Sequence, residues 1–480
     1  MPIASWLRTP RIRRGLAASI VVVAAGGLVL FRAEAQTSPY KVRPAVPVAV
    51  NDAKAVTFHG DGLHGAFAVS HGKVLASAGQ ELFATVDVTA DTSPDSTARA
   101  PLSLAIVLDT SGSMMGEKIE DAKLAVTKLV SGMRDDDEIA FVRYASDAEL
   151  VQPLSTVGRV RQSLIDKIES VEAGGGTAIP KGMQAGLLAL QSASSDRVRR
   201  LVLVSDGLDA SRSVSEGLAR SAFNDHEVVS SLGIGLDFDS AYMGALAEAG
   251  HGNYGFVKDP GALEGFLKRE LDESATTRVR DVTVRLDLPP GIRLKNAYGA
   301  EVSPKGDGSA VEISVGSMFS GDSRRVVLAL SSSLEAGDAR SLQAKVDWRV
   351  VGGGAQTAEI PTMVVLATRD QAAVDASRDG TVLAAAASVM ASKREIEAAS
   401  AYERGDTTTA GALIQQNLDL LLSAKASAPP PAASALSKQY DAYAGTMGAF
   451  RRIAPSSVAG KALPKAAATA DVANISRSAY

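Results

Sequence analysis

The segment Leu102–Met115 constrains this chain more than any other. It reads Leu-Ser-Leu-Ala-Ile-Val-Leu-Asp-Thr-Ser-Gly-Ser-Met-Met. An apolar run of strand length ends in three oxygen-bearing side chains, Asp109, Ser111 and Ser113, and a helical pattern begins at Glu117. A strand covered on both faces reads as such a run. A polar turn between that strand and a helix lies where open α/β sheets hold their ligands, outside the carboxyl end of a parallel strand. The pattern predicts an α/β domain with a metal site built from oxygen ligands.

Two later stretches supply what one turn cannot. Gly174-Gly175-Gly176-Thr177 places a hydroxyl after three glycines, and Leu201-Val-Leu-Val-Ser-Asp206-Gly207 is a second apolar strand ending in an aspartate. In this order the three loops resemble the metal-ion-dependent adhesion site, or MIDAS, of von Willebrand factor type A domains. The stretch Gly233-Ile-Gly-Leu-Asp-Phe-Asp-Ser240 with Ala249-Gly-His-Gly-Asn-Tyr-Gly255 also resembles bacterial members. The resemblance implies that Asp109, Ser111, Ser113, Thr177 and Asp206 form the metal set, with the hydroxyls coordinating directly and the aspartates often acting through water.

All five are hard oxygen donors, with no histidine or cysteine among them. That selects Mg²⁺, with Mn²⁺ or Ca²⁺ possible, over zinc or copper. Two carboxylates at most balance a divalent cation. The cation stays electrophilic, and a partner's glutamate or aspartate can complete its shell. Met114 and Met115 follow as candidate rim contacts, and Asp209 and Ser211 as residues that shape the face without being ligands.

The 480 residues exceed one ordinary core, so two or three domains are expected. The formal net charge of −4 comes with no basic stripe, which argues against nucleic acid. Without cysteine there are no disulfides, thiolate nucleophiles or cysteine zinc sites. Arg8, Arg11, Arg13 and Arg14 precede an apolar run from Leu16 to Phe31, and Ala33-Glu34-Ala35 offers small residues for cleavage. Residues 1–35 read as a secretory signal peptide, with an uncleaved membrane anchor as the alternative. Either places the remainder outside the cytoplasm, in the periplasm or at the cell surface.

Residues 36–47 read as a linker and 48–100 as short β-strands broken by glycine. Strands alternate with helices over 101–275, which requires crossovers and a mainly parallel sheet. Residues 276–368 return to β patterning and predict a β-sandwich. The strands of 48–100 are expected to belong to it, so that the α/β domain is inserted in a split sandwich. That layout resembles bacterial extracytoplasmic proteins of this family and, more distantly, inter-α-trypsin inhibitor heavy chains. Residues 369–453 predict a helical hairpin and one further helix; 454–480, rich in alanine and serine, are expected to be disordered. The fold class is thus a Rossmann-like α/β domain in or beside a β-sandwich, with C-terminal helices.

Other signals are weaker. Arg404-Gly405-Asp406 reads as turn and cap chemistry. His226-Glu227 begins a zinc-protease motif, but position 230 is serine. Asp237 and Asp239 alternate after a strand without forming an evident second site, and Asp135–Asp137 reads as a solvated turn. No general base is evident in the metal loops, so the chain is read as a non-enzyme. The expected function is metal-dependent binding of a protein or peptide through its Asp or Glu, in the cell envelope. The alternative is an envelope assembly factor stabilised by the cation.

Overall fold

The structure is a computed structural model that describes residues 55–77, 79–92, 101–194, 197–207, 209–257, 265–266, 269–273 and 276–477. The signal or anchor segment and the linker lie outside the described residues. Four strands come first: β1 (Ala55–Gly60), β2 (Leu63–Val69), β3 (Lys73–Leu75) and β4 (Glu81–Ala90). The α/β domain follows with β5 (Leu102–Asp109), α1 (Glu117–Gly132), β6 (Glu138–Tyr144), β7 (Ala148–Thr156), α2 (Val157–Glu169), α3 (Ile179–Leu190), β8 (Val198–Ser205), α4 (Arg212–Asn224), β9 (Glu227–Ile234), α5 (Ser240–Ala249) and β10 (His251–Val257).

Its sheet runs β10-β9-β8-β5-β6-β7. Every pairing is parallel except that of the edge strand β7. All eight residues of β5 are buried. Ile106 and Leu108 enter one core, with α1 and α2, while Ala105 and Val107 enter the other, with α3 and α5. Alternation of side chains across a strand covered on both faces produces the unbroken apolar run seen in the sequence. It also leaves the carboxyl ends of β5 and β8 side by side, with Leu108 opposite Val204.

Seven strands complete the β region: β11 (Thr277–Asp287), β12 (Ile292–Tyr298), β13 (Glu301–Lys305), β14 (Ala310–Phe319), β15 (Ser323–Ser332), β16 (Ala339–Val350) and β17 (Ala355–Thr368). One sheet is ordered β1-β2-β4-β15-β12 and the other β13-β14-β11-β16-β17-β3. Strand β4, before the α/β domain, pairs antiparallel with β15, far beyond it, from Glu81 opposite Ser331 to Thr89 opposite Ser323. Phe67, Leu82 and Val86 share one core with Val284, Ile313 and Trp348.

Five helices follow: α6 (Gln371–Ala376), α7 (Gly380–Glu403), α8 (Thr407–Lys425), α9 (Pro430–Arg452) and α10 (Val458–Arg477). Helix α7 is buried toward the sandwich through Ala385, Ala386 and Val389, which meet Val327 of β15. Its opposite side packs on α8 and α9, where Tyr402 stacks on Phe450 at 3.7 Å. Among the described residues no helix is long and apolar enough to cross a membrane.

Three expectations are corrected. The helical region is larger than a hairpin with one further helix, and residues 458–477 are not disordered but form α10. Ala468 and Val472 of α10 enter the α/β-domain core beside Tyr242 and Leu246. The segment shows no apolar stripe because it is contacted from several sides at once, and Pro464 reads as a breaker. Asp137 is not a solvated turn residue either. It is 1% exposed and accepts hydrogen bonds from the amides of Leu102 and Arg134, at 3.2 and 2.9 Å.

Candidate metal centre

The site begins where β5 ends. Asp109 is fully buried. Its Oδ1 accepts the Ser111 amide at 2.8 Å, and its Oδ2 accepts the Ser205 hydroxyl at 2.6 Å and the Tyr144 phenol at 3.1 Å. Burial pushes the Asp109 carboxyl above its usual range; the hydrogen bonds from Ser205 and Ser111 oppose it, and nearby Asp206 adds to the rise. Burial likewise holds the Tyr144 phenol well above its ordinary value, so it serves as a donor. A short turn at Gly112–Met114 brings the hydroxyls of Ser111 and Ser113 to 2.9 Å from each other.

The second loop is stitched to the first by backbone. The Gly174 amide donates to Thr110 O at 2.7 Å, and the Gly112 amide donates to Gly175 O at 2.9 Å. Gly175 has φ +88°, a conformation that favours glycine and turns its carbonyl toward Gly112. Half-buried Thr177 follows. Gly176 before it donates its amide to Ser146 Oγ at 2.9 Å, and Ile179, two residues after it, donates its amide to Asp209 Oδ2 at 2.8 Å. Asp209 Oδ1 also accepts the Ser211 amide at 2.7 Å. Asp209 therefore fastens the second loop to the third.

Asp206 stands directly after β8 and is fully buried. Its Oδ2 accepts Lys118 Nζ from the first turn of α1 at 3.0 Å. Its Oδ1 is buried without a hydrogen-bond partner. Buried carboxylate oxygens are normally satisfied, so an orphan on a carboxylate close to that of Asp109 fits a metal ligand, directly or through water. Among the described residues no three His, Cys, Asp or Glu side chains form a metal group. A cation here would depend on the hydroxyls of Ser111, Ser113 and Thr177 as much as on Asp109 and Asp206. The donor set suits a hard divalent cation.

Backbone bonds join the first loop to the second, the Ser205–Asp109 bond joins the first to the third, and further residues take part. Lys118, Tyr144 and Ser205 were not singled out. Ser205 immediately precedes Asp206, and Tyr144 ends the neighbouring strand β6 opposite Asp109, a placement visible only once the sheet order is known. Of the two methionines, Met114 is buried and Met115 is 62% exposed, so only Met115 is available at the rim. Asp237 pairs with Lys461 of α10, and Asp239 caps α5 by accepting the Tyr242 amide. Asp406 caps α8 through the Thr409 amide, and His226 pairs with Asp281 of β11.

Residues 104–208 match the model of the von Willebrand factor type A domain. An uncharacterized protein of Synechocystis, sll0103, is 27% identical over 242 residues, which cover 48% of this chain and 57% of the relative. The uncharacterized YfbK of Escherichia coli is 27% identical over 198 residues, covering 39% of this chain and 34% of the relative. The chain thus spans about half the length of the first relative and a third of the second. The solved structure titled von Willebrand factor type A from Catenulispora acidiphila has a TM-score of 0.66 at 19% identity, covering 89% of this chain and 98% of its own. That likeness is one of fold, and it extends over the α/β domain, the β region and the helices.

Proposed function

We propose that the von Willebrand factor type A domain of this chain is a metal-dependent protein-binding module of the cell envelope, without enzymatic activity. Asp109, Ser111, Ser113, Thr177 and Asp206 would hold Mg²⁺, with Mn²⁺ or Ca²⁺ as substitutes. The cation supplies a Lewis-acidic position for a carboxylate of a protein or peptide partner. The observation that carries this reading is the buried, unpartnered Asp206 Oδ1, on a carboxylate close to the buried one of Asp109. Tyr144 and Ser205 orient Asp109, and Asp209 holds the Thr177 loop against the Asp206 loop. The envelope assignment rests on the arginine-led apolar segment before Gln36.

The test is affinity capture from envelope extract with the Gln36–Tyr480 protein, in Mg²⁺, in EDTA, and with Asp109→Ala. A partner retained only by the unaltered protein in Mg²⁺ supports the proposal. Retention that ignores both metal and Asp109 refutes it. The same buried orphan favours one other reading, an assembly factor in which the cation mainly stabilises the domain. Metal removal would then lower the melting temperature and leave partner capture unchanged.

A further inference from the structure

Asp109 and Asp206 carry enough negative charge to neutralise a divalent cation, yet the site holds a cation of its own. Lys118 Nζ lies 3.0 Å from Asp206 Oδ2, with the lysine side chain 22% exposed and Asp206 fully buried. The stem of Lys118 crosses Gly235, where a Cβ would stand 2.8 Å from Lys118 Cε. With φ +78° and no side chain, Gly235 leaves a track for this lysine. Asp237, a second carboxylate that feels its charge, is engaged by Lys461 of α10 at 2.5 Å. The carboxylate that Lys118 pairs with is that of Asp206.

We propose that Lys118 is an internal counter-cation of the metal site, competing with the divalent ion for Asp206 and leaving the loaded site with one surplus positive charge. This rests on the metal-dependent reading above. Two cations sharing one buried carboxylate repel each other, so Lys118 weakens metal binding. A single ligand carboxylate then restores neutrality, so Lys118 strengthens ligand binding. The residue exchanges metal affinity for selectivity toward a singly charged anion.

Opposite effects on two equilibria test this. Mg²⁺ affinity is measured calorimetrically on the full chain. Acetate, the minimal carboxylate, is titrated into Mn²⁺-loaded protein while the water proton relaxation rate is followed. In Lys118→Met, Mg²⁺ should bind at least about tenfold tighter, the scale on which a neighbouring charge acts at 4–6 Å. Acetate should bind severalfold more weakly. Lys118→Arg, which keeps the charge, should resemble the unaltered protein in both. Lys118→Gln carries the same expectation as Lys118→Met and covers the case in which the methionine variant does not fold. Unchanged or weaker Mg²⁺ binding in the neutral variants, with normal binding in the unaltered protein, overturns the role of Lys118 alone. An unaltered protein that binds no Mg²⁺ overturns the metal-dependent reading and this inference together.

Discussion

The Ile179 amide donates to Asp209 Oδ2 at 2.8 Å, and this bond joins the loop carrying Thr177 to the loop carrying Asp206. Asp209 Oδ1 also accepts the Ser211 amide, just before α4, at 2.7 Å. Asp209→Ala should weaken Mg²⁺ binding by about tenfold, the usual cost of losing a residue that orients metal ligands. Loss of two charge-assisted bonds should cost about 1–3 kcal/mol of stability. Calorimetric titration with Mg²⁺ and urea unfolding of the same variant measure the two effects separately.

A cation that binds only the folded chain must stabilise it. At a Mg²⁺ concentration one hundred times Kd, the gain is about 2.7 kcal/mol. Urea unfolding with and without Mg²⁺ should show this gain for the unaltered protein. Asp109→Asn should abolish it, because Asp109 is buried at the centre of the loops. A gain of equal size in the variant would place the ion elsewhere.

The buried carboxyls of the helical region give a signed pH dependence. Burial, then neighbouring Asp471, pushes Glu395 up to about 8, against a hydrogen bond from Asn417. Burial pushes Asp471 up to about 7, against hydrogen bonds from Tyr443 and Ser392. Both folded values lie above the unfolded ones, so the folded chain holds more protons between pH 4 and 8. The contribution of these groups is full in acid, falls as pH rises through that window and levels above it. Glu395→Gln keeps the neutral shape. Its urea midpoint should match that of the unaltered protein near pH 5 and exceed it near pH 9.

Two lysines of α10 should differ sharply. Lys465 is 3% exposed; its Nζ donates to Phe238 O at 2.8 Å and Glu403 Oε1 at 2.9 Å and lies 4.4 Å from the centroid of the Phe238 ring. Lys465→Ala takes this donor from Phe238 O, leaves Glu403 Oε1 with the Ser240 hydroxyl, and should cost about 1–3 kcal/mol. Lys461 makes an exposed pair with Asp237, so Lys461→Ala should cost about 0–1 kcal/mol. Urea unfolding of both variants checks the contrast. Equal losses would mean that α10 is not held by its buried lysine.

The α/β domain was legible because its signals are local. An apolar run that ends in Asp-x-Ser-x-Ser states both the burial of β5 and the chemistry at its end, and β8 with Asp206 repeats the pattern. The β patterning on either side was equally plain in composition and alternation. Helix α10 was not, because its buried faces point several ways and its alanines carry little signal one at a time. Asp137 read as one of three solvated acids because its partners, the amides of Leu102 and Arg134, depend on how the strand meets the preceding turn.

By itself the sequence determined where buried strands end and which oxygen donors stand there, since strand burial and side-chain chemistry are properties of short segments. Only the tertiary structure decided that Lys118 meets Asp206, that Tyr144 and Ser205 share Asp109, and that Asp209 reaches the amide of Ile179. Apart from Tyr144 and Ser205, whose strands both neighbour that of Asp109, these pairs join residues from different connections of the chain. Their contacts follow from sheet order and helix placement, which are set by the summed packing of two cores and not by any local pattern.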